Sequence, residues 1–328
     1  MIKTLCFKKR CYLLRAFFLC GFAIILFFYV IFGQMLNKKE VPSSWDIQYP
    51  EQRIPEETFE ETEVPLPNIM YINTTLIPIH ADLSEAELEE NFFEFLIQKE
   101  LWCKKNERLG HPGEGGWNVC LPPPFGLQKP CIVYCFQTDQ NWEFVDAVSF
   151  IYGCHVYAYD PSLKDDKQNR SNLVHISKTG LGHQNGYNLK GWKLNTLKTL
   201  LKNNGHTKTI ISYLKIDIEY DEWASLRTAI DDGSLTNVKQ LAFEIHTVPA
   251  QVMINAAKIK SIRPHKEEYL EMHHILSQLQ LLNFRKFHYQ RNIFGEYTSV
   301  VTNKSRSFAY ELYYVNTRFA LQDYDAEV

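Results

Sequence analysis

Apolar positions change their period several times along the chain, and each change predicts a different element. From Ala16 to Leu36 no residue carries a formal charge, and at 1.5 Å per helical residue that run can cross about 30 Å of hydrocarbon. It predicts a membrane span. Residues 37–82 then hold six prolines and a series of acids (Glu51, Glu56, Glu57, Glu60, Glu61, Glu63) without a sustained apolar period, which predicts a stem. At Ser84 the pattern turns helical. Ser84 and Glu87 have capping-box spacing, and Leu88, Phe92, Phe95 and Leu96 follow at helical intervals, so a helix is expected to about Lys104. Gly110, Pro112, Gly113, Gly115 and Gly116, then Pro122 to Pro124, predict irregular chain.

Beyond Pro130 short β-rich runs alternate with amphipathic stretches. The runs are CIVYCF (131–136), CHVYAYD (154–160), LVHIS (173–177), YLKIDIE (213–219) and KQLAFEIH (239–246), with helical candidates at 142–152, 193–204, 221–231 and 266–282. Continuous apolar strands alternating with helices predict an α/β fold with a doubly wound parallel sheet covered on both faces. EYTSVVTN (296–303) and AYELYYVN (309–316), joined by KSRSF, predict an antiparallel hairpin at the sheet edge. The expected organisation is a tail at 1–15, an anchor at 16–36, a stem at 37–82, a helical and irregular extension at 83–130, a main domain at 131–320 and a tail at 321–328.

Charge orients the anchor. Lys3, Lys8, Lys9, Arg10 and Arg15 precede the span without an acid, whereas Lys38 and Lys39 run directly into Glu40, which places the N-terminus in the cytosol and the main domain across the membrane. The apolar run exceeds the roughly 7–15 residues of a cleaved signal and lacks a clear small-x-small site, so an uncleaved anchor is expected. The expected protein is therefore a single-pass type II membrane protein of the secretory pathway, in the Golgi or endoplasmic reticulum. The whole chain carries −3 and residues 1–36 contribute +5, leaving −8 beyond the membrane. That balance argues against nucleic acid as a partner. Cys6 and Cys11, before the span, could carry acyl chains. Beyond the span lie Cys103, Cys120, Cys131, Cys135 and Cys154. In an oxidising lumen these predict two disulfides and one leftover thiol, with Cys103 and Cys120, which flank a loop, expected to pair. Sequons at Asn73, Asn169 and Asn303 agree with that topology.

In open parallel sheets ligands sit outside the carboxyl ends of the strands. The first run ends in Phe136, Gln137, Thr138 and Asp139, and the second in Asp160 followed by Pro161. Asp160 is placed either to accept hydrogen bonds from ribose hydroxyls or to start a turn. Asp217 and Glu219 alternate onto one strand face; they could hold a substrate hydroxyl, bind a divalent cation or act as an acid, or else serve backbone amides and the next helix. Glu244 and His246 repeat the spacing one strand on, with His246 a candidate base or a structural residue. His273 and His274 are adjacent and do not share a helix face, so they are expected at the surface. Arg285, Lys286 and His288 read as a solvated edge.

The strings CIVYCFQTDQNWEF, YGCHVYAYDPS, YLKIDIEYDEW, VKQLAFEIHT, LNFRKFHYQRN and ELYYVN, with GGWNVC (115–120) and Gly180-Leu181-Gly182, resemble the methyltransferase-like protein 24 family, a branch of S-adenosylmethionine-dependent methyltransferase folds. The resemblance covers about residues 100–320. It implies a Rossmann-like class I methyltransferase sheet of seven strands, S-adenosylmethionine as cofactor, and an acceptor on a luminal or extracellular glycan, protein or small molecule. Carried across, Phe136, Gln137 and Asp139 would pass under the methionine part, Asp160 would hold the ribose, and the catalytic candidates Asp217, Glu219 and His246 would face donor and acceptor. Gln137 stands where active members of the wider fold usually have glycine, and Tyr220 where glycine often follows the Asp-Ile-Glu motif. Both departures predict an altered donor loop. Two other functions compete: an inactive methyltransferase-fold domain binding a glycan or protein, and a Golgi glycosyltransferase using Asp217 and Glu219 on a metal.

Overall fold

In a computed structural model of the chain, all five runs beyond Pro130 become strands of one sheet: β1 (Ile132–Phe136), β2 (His155–Tyr159), β3 (Val174–Ser177), β4 (Tyr213–Ile216) and β5 (Gln240–His246), mutually parallel. Two further strands, β6 (Phe284–Arg291) and β7 (Ala309–Asn316), extend it to the order β6-β7-β5-β4-β1-β2-β3, with β7 antiparallel to both neighbours. The structure describes residues 68–138, 141–164, 170–247 and 264–320. The expected cytosolic tail, membrane span and most of the stem lie outside the described residues, as do Asp139 and Asn169. Among the described residues no helix is long and apolar enough to cross a membrane.

Among the described residues five helices flank the sheet: α1 (Glu85–Ile97), α2 (Glu143–Ile151), α3 (Leu197–Asn203), α4 (Glu222–Asp231) and α5 (Lys266–Leu281). Successive strand side chains point to opposite faces, so Val133 and Cys135 join one buried cluster with α2, while Tyr134 and Phe136 join another with α1, α3, α4 and α5. Both faces are covered, which is why these runs are apolar without alternation. Ser84 caps α1 as its spacing predicts, with Ser84 and Glu87 each accepting from the other's backbone N–H.

The candidate helix at 193–204 begins only at Leu197, Lys193–Asn195 being a strand of a small three-stranded sheet, and the chain departs further from expectation at three places. Helix α1 ends at Ile97, and Leu101–Cys103 is instead a strand paired with Ile69–Tyr71. The apolar period stops at Leu96, and Cys103 is tied to Cys120 by the expected disulfide. The pairing also draws residues from 68 onward out of the stem and against the domain. Second, the antiparallel partner of β7 is β6; Glu296–Thr298 and Ser305–Ser307 form a separate two-stranded ribbon. Lying between β5 and β6, β7 has both edges paired, its side chains join the buried clusters on both faces of the sheet, and KSRSF belongs to the ribbon.

Third, Lys286 is not on a solvated edge. It is 2% exposed, its Nζ donating to Phe95 O at 2.7 Å and lying 4.8 Å from the Phe95 ring. A register shift in β6 between Lys286 and His288 makes Phe287 an extra residue, so Lys286 and Phe287 are buried in succession on opposite faces. Burial, weakly opposed by Glu100, lowers the Lys286 ammonium from 10.5 to about 7. Between those values the unfolded chain binds more protons than the native one, so this group makes stability rise with pH, by at most about 1.4 kcal/mol per pH unit. Below pH 7 both states are protonated and the slope vanishes. Urea midpoints between pH 6 and 10 are therefore expected to climb less in Lys286→Met than in the parent; parallel profiles would show that Lys286 stays charged when buried.

A second disulfide joins Cys131 to Cys154, leaving Cys135 as the free thiol among the described cysteines. Burial pushes Cys135 up to about 12 despite nearby Lys215, so it is an unreactive core thiol.

Candidate functional site

Strand order reverses between β4 and β1, the point at which open α/β sheets bind ligands. A cavity of about 830 Å³ opens there, outside the carboxyl ends of β1, β4 and β5. Its floor includes Cys135, Lys215 and Asp217; the Gly113 to Gly115 loop and the exposed Ile293 and Phe294 stand at its sides. A second cavity of about 460 Å³ lies toward β2, between Tyr159, Gly180, Trp192 and Tyr220. Gln137 and Glu219 line both.

Both of those residues occupy left-handed backbone, with φ of 58° each, and Tyr220 follows at 78°. A side chain in that region costs roughly 1–2 kcal/mol over glycine. The turns after β1 and β4 thus keep the conformation glycine favours while carrying large side chains. Gln137 is held by its N–H donating to Tyr159 O at 2.8 Å, and its carbonyl accepts from Lys215 Nζ at 2.5 Å.

Asp160 faces the other way. It is fully buried; Oδ2 accepts from the N–H and hydroxyl of Thr138 at 3.1 and 2.9 Å, and Oδ1 from those of Ser162 at 2.9 and 2.5 Å. Burial opposes ionisation, but the hydrogen bonds from Ser162 and Thr138 prevail and lower its pKa. Asp160 therefore clamps the loop after β1 to the loop after β2, with each oxygen accepting two hydrogen bonds from within the protein. Phe136 is also inside, 0% exposed and stacked on Tyr159 at 5.3 Å. Asp139 lies outside the described residues.

Asp217, Glu219 and His246 do come together, joined by Glu244. His246 Nε2 lies 3.9 Å from Glu219 Oε2 and 4.0 Å from Glu244 Oε2. Its Nδ1 is 3.0 Å from Glu222 Oε1, which also accepts the His246 backbone N–H at 2.6 Å. Trp223 Nε1 donates to His246 O at 2.7 Å, so the start of α4 grips the end of β5 through two successive residues. Burial would lower the imidazole pKa, but the hydrogen bond and charge of Glu222, with Glu244 and Asp217, raise it to about 10. Glu222 and the neighbouring acids thus favour the imidazolium form of His246 over the free base its position suggests. Burial, then the charge of Asp217, pushes Glu244 up to about 8.

Two cations offset these acids. Lys215 Nζ lies 3.2 Å from Asp217 Oδ2 and also donates to Phe136 O. Arg108 donates two parallel hydrogen bonds to Glu311 at 2.8 and 3.0 Å, and others to Asn118 Oδ1 and Gly113 O. Sequence reasoning missed Glu222, Lys215 and the Arg108–Glu311 pair. Only Lys215 left a signal, since it precedes Asp217 by two residues on the same strand face.

The region also tests whether a nucleoside-bearing methyl donor fits. The two cavities, bordered by Tyr220, Trp192 and the half-exposed Glu219, provide aromatic faces and an outward carboxylate. Those groups suit an adenine ring and hydroxyls, whereas both Asp160 oxygens are engaged by Thr138 and Ser162.

Residues 58–301 match a protein-family profile described as "Methyltransferase domain". A human protein described as probable methyltransferase-like protein 24 is 25% identical over 219 residues, covering 63% of this chain and 57% of that protein. The rat protein of the same description is 25% identical over 214 residues, covering 62% and 56%. The matched stretch thus spans less than two thirds of these relatives.

Proposed function

The chain belongs to this methyltransferase-domain family, and from that premise we propose that it is an S-adenosylmethionine-dependent methyltransferase whose domain faces the secretory lumen from a single N-terminal anchor. The observation that carries the catalytic part is the cavity at the strand-order reversal, where Asp217, Glu219, Glu244 and His246 converge. Two disulfides in the domain support an oxidising compartment, and the apolar run at 16–36 supports the anchor.

Gln137, Glu219, Tyr220 and Trp192 would hold the donor, which supplies an electrophilic methyl group when bound. The chain contributes position and charge. Ile293 and Phe294 shield the cavity from one side, and Lys215 keeps the carbonyls after β1 in place. Glu219, the most open of the acids, receives the acceptor's proton and passes it to water. The acceptor is an oxygen or nitrogen nucleophile of a luminal glycan, protein or small molecule.

Calorimetry with the purified full chain is expected to show saturable binding of S-adenosylmethionine, weakened about tenfold or more by Glu219→Ala, which removes a charged hydrogen-bond acceptor. Absence of heat with both S-adenosylmethionine and its demethylated product would end the donor reading. The inward commitment of Asp160 favours one alternative, a domain of this fold that binds a partner without the donor. In that case Gln137→Gly with Tyr220→Gly should create donor binding the parent lacks, since both backbones already have glycine-like φ.

A further inference from the structure

We infer that Asp217, Glu244 and His246 form a binding site for a divalent transition-metal cation, of the Mn2+ or Zn2+ class, on the wall of the larger cavity. One ligand atom from each of these three residues lies within 4.8 Å of the others. Bonds of about 2.0–2.3 Å from a central cation hold its ligand atoms roughly 3 Å apart. The longest separation must contract by up to about 1.8 Å, within the reach of carboxylate side-chain rotation.

The histidine distinguishes this group from a chance collection of acids. His246 is 5% exposed and lines the cavity, yet its Nε2 has no partner within hydrogen-bonding distance among the described residues. Its other ring nitrogen is engaged by Glu222, a carboxylate with no solvent exposure. That is the outer partner metal-bound imidazoles use: it fixes the ring, holds the Nδ1 proton and, once the cation displaces the Nε2 proton to solvent, turns the Nε2 lone pair toward the metal. The partner therefore stands in place on one side of the ring, and on the other Nε2 lies 3.9 and 4.0 Å from Glu219 and Glu244, two carboxylates that line the cavity.

Charge supports the same assignment. Asp217, Glu219, Glu244, Glu222 and Glu311 surround the site, while the permanent cations nearby among the described residues, Lys215, Arg108 and Arg291, are each engaged with an acid. A divalent ion takes the place of the protons that His246 and Glu244 hold among these acids, and one imidazole nitrogen with two carboxylates suits Mn2+ or Zn2+ better than Mg2+ or Ca2+. Glu219, 47% exposed on its turn, can add a further oxygen or leave that position to a ligand. This assignment does not depend on the methyl-donor reading.

The test uses the full chain purified in detergent, stripped with a chelator and desalted. Mn2+ is titrated by the loss of its free-ion electron paramagnetic resonance signal, and Zn2+ by competition with a chromogenic chelator; Mg2+ and Ca2+ serve as hard-cation comparisons. One Mn2+ or Zn2+ per chain is expected to bind, with affinity reduced about tenfold or more in both Asp217→Asn and Glu244→Gln. These amides keep side-chain shape, and near-UV circular dichroism of the stripped proteins verifies their packing. Should either variant not fold, Glu219→Gln on the exposed turn gives a second reading, with a smaller expected loss. Failure of the parent to bind either metal stoichiometrically overturns the inference, as does binding that is equally tight in the folded variants. Loss of metal binding with donor binding retained would separate this site from the donor site.

Discussion

Glu222→Ala is expected to lower the unfolding free energy by about 3–5 kcal/mol, the usual cost of removing one member of a buried ionic pair. Glu222 has no exposed surface, and its Oε1 accepts from the His246 backbone N–H as well as lying against the ring Nδ1. Truncation leaves a buried amide without an acceptor and an imidazolium without its principal counter-charge. It also loosens the hold of α4 on β5 that Trp223 shares. For a domain of this size the loss corresponds to a fall in Tm on the order of 10 °C. Glu222→Gln keeps an oxygen at the same point and should cost less. Its Oε2 has no hydrogen-bond partner among the described residues, so an amide there loses no existing bond. Paired thermal melts check both variants; an Ala variant within about 1 kcal/mol of the parent would show that the pair adds little to the fold.

The second large effect is expected at the disulfide between Cys131 and Cys154. Their separation of 23 residues corresponds in chain-entropy terms to about 3 kcal/mol of stabilisation. The bridge closes the βαβ unit formed by β1, α2 and β2. It also sits among buried residues, with Cys131 2% and Cys154 0% exposed. Serine at both positions adds desolvated hydroxyls, so Cys131→Ser/Cys154→Ser should lose about 3 kcal/mol or somewhat more. Unfolding is measured for parent and variant, each with and without reductant. Reductant is expected to move the parent further than the variant, which retains only the Cys103–Cys120 bridge; equal shifts would mean that the 131–154 bridge does not constrain the unfolded chain.

Most of the sheet was legible because each run of β1, β4 and β5 lies between two covered faces, so local apolarity alone marks it. Strand β6 was not legible in the same way. FRKFHYQR reads as polar because its buried lysine finds an acceptor in Phe95, 191 residues earlier in the chain. The ribbon at 296–307 competed for β7 on sequence proximity, and the alternative pairing is visible only in three dimensions. The resemblance to the methyltransferase-like protein 24 family agrees with the family shown by the matches. Within the site, strand ends pointed to Asp217, Glu219 and His246 because a parallel sheet gathers its carboxyl ends. What individual side chains do there was less accessible. The role of Asp160 is set by Thr138 and Ser162, and the protonation of His246 by Glu222; no spacing rule expresses either dependence.

The extra residue in β6 also matters for how this molecule meets its own copies. An outermost strand exposes unpaired backbone groups along one side, a template on which another chain can add a strand; in β6 the Lys286 N–H and carbonyl are already engaged by Glu100 at 2.9 and 2.8 Å. At Phe287 the ladder loses its even spacing and the strand bends. A flat neighbour therefore cannot stay in register along its whole length. The irregularity that accommodates a buried lysine thus also guards the sheet against edge-to-edge growth when many copies are crowded together.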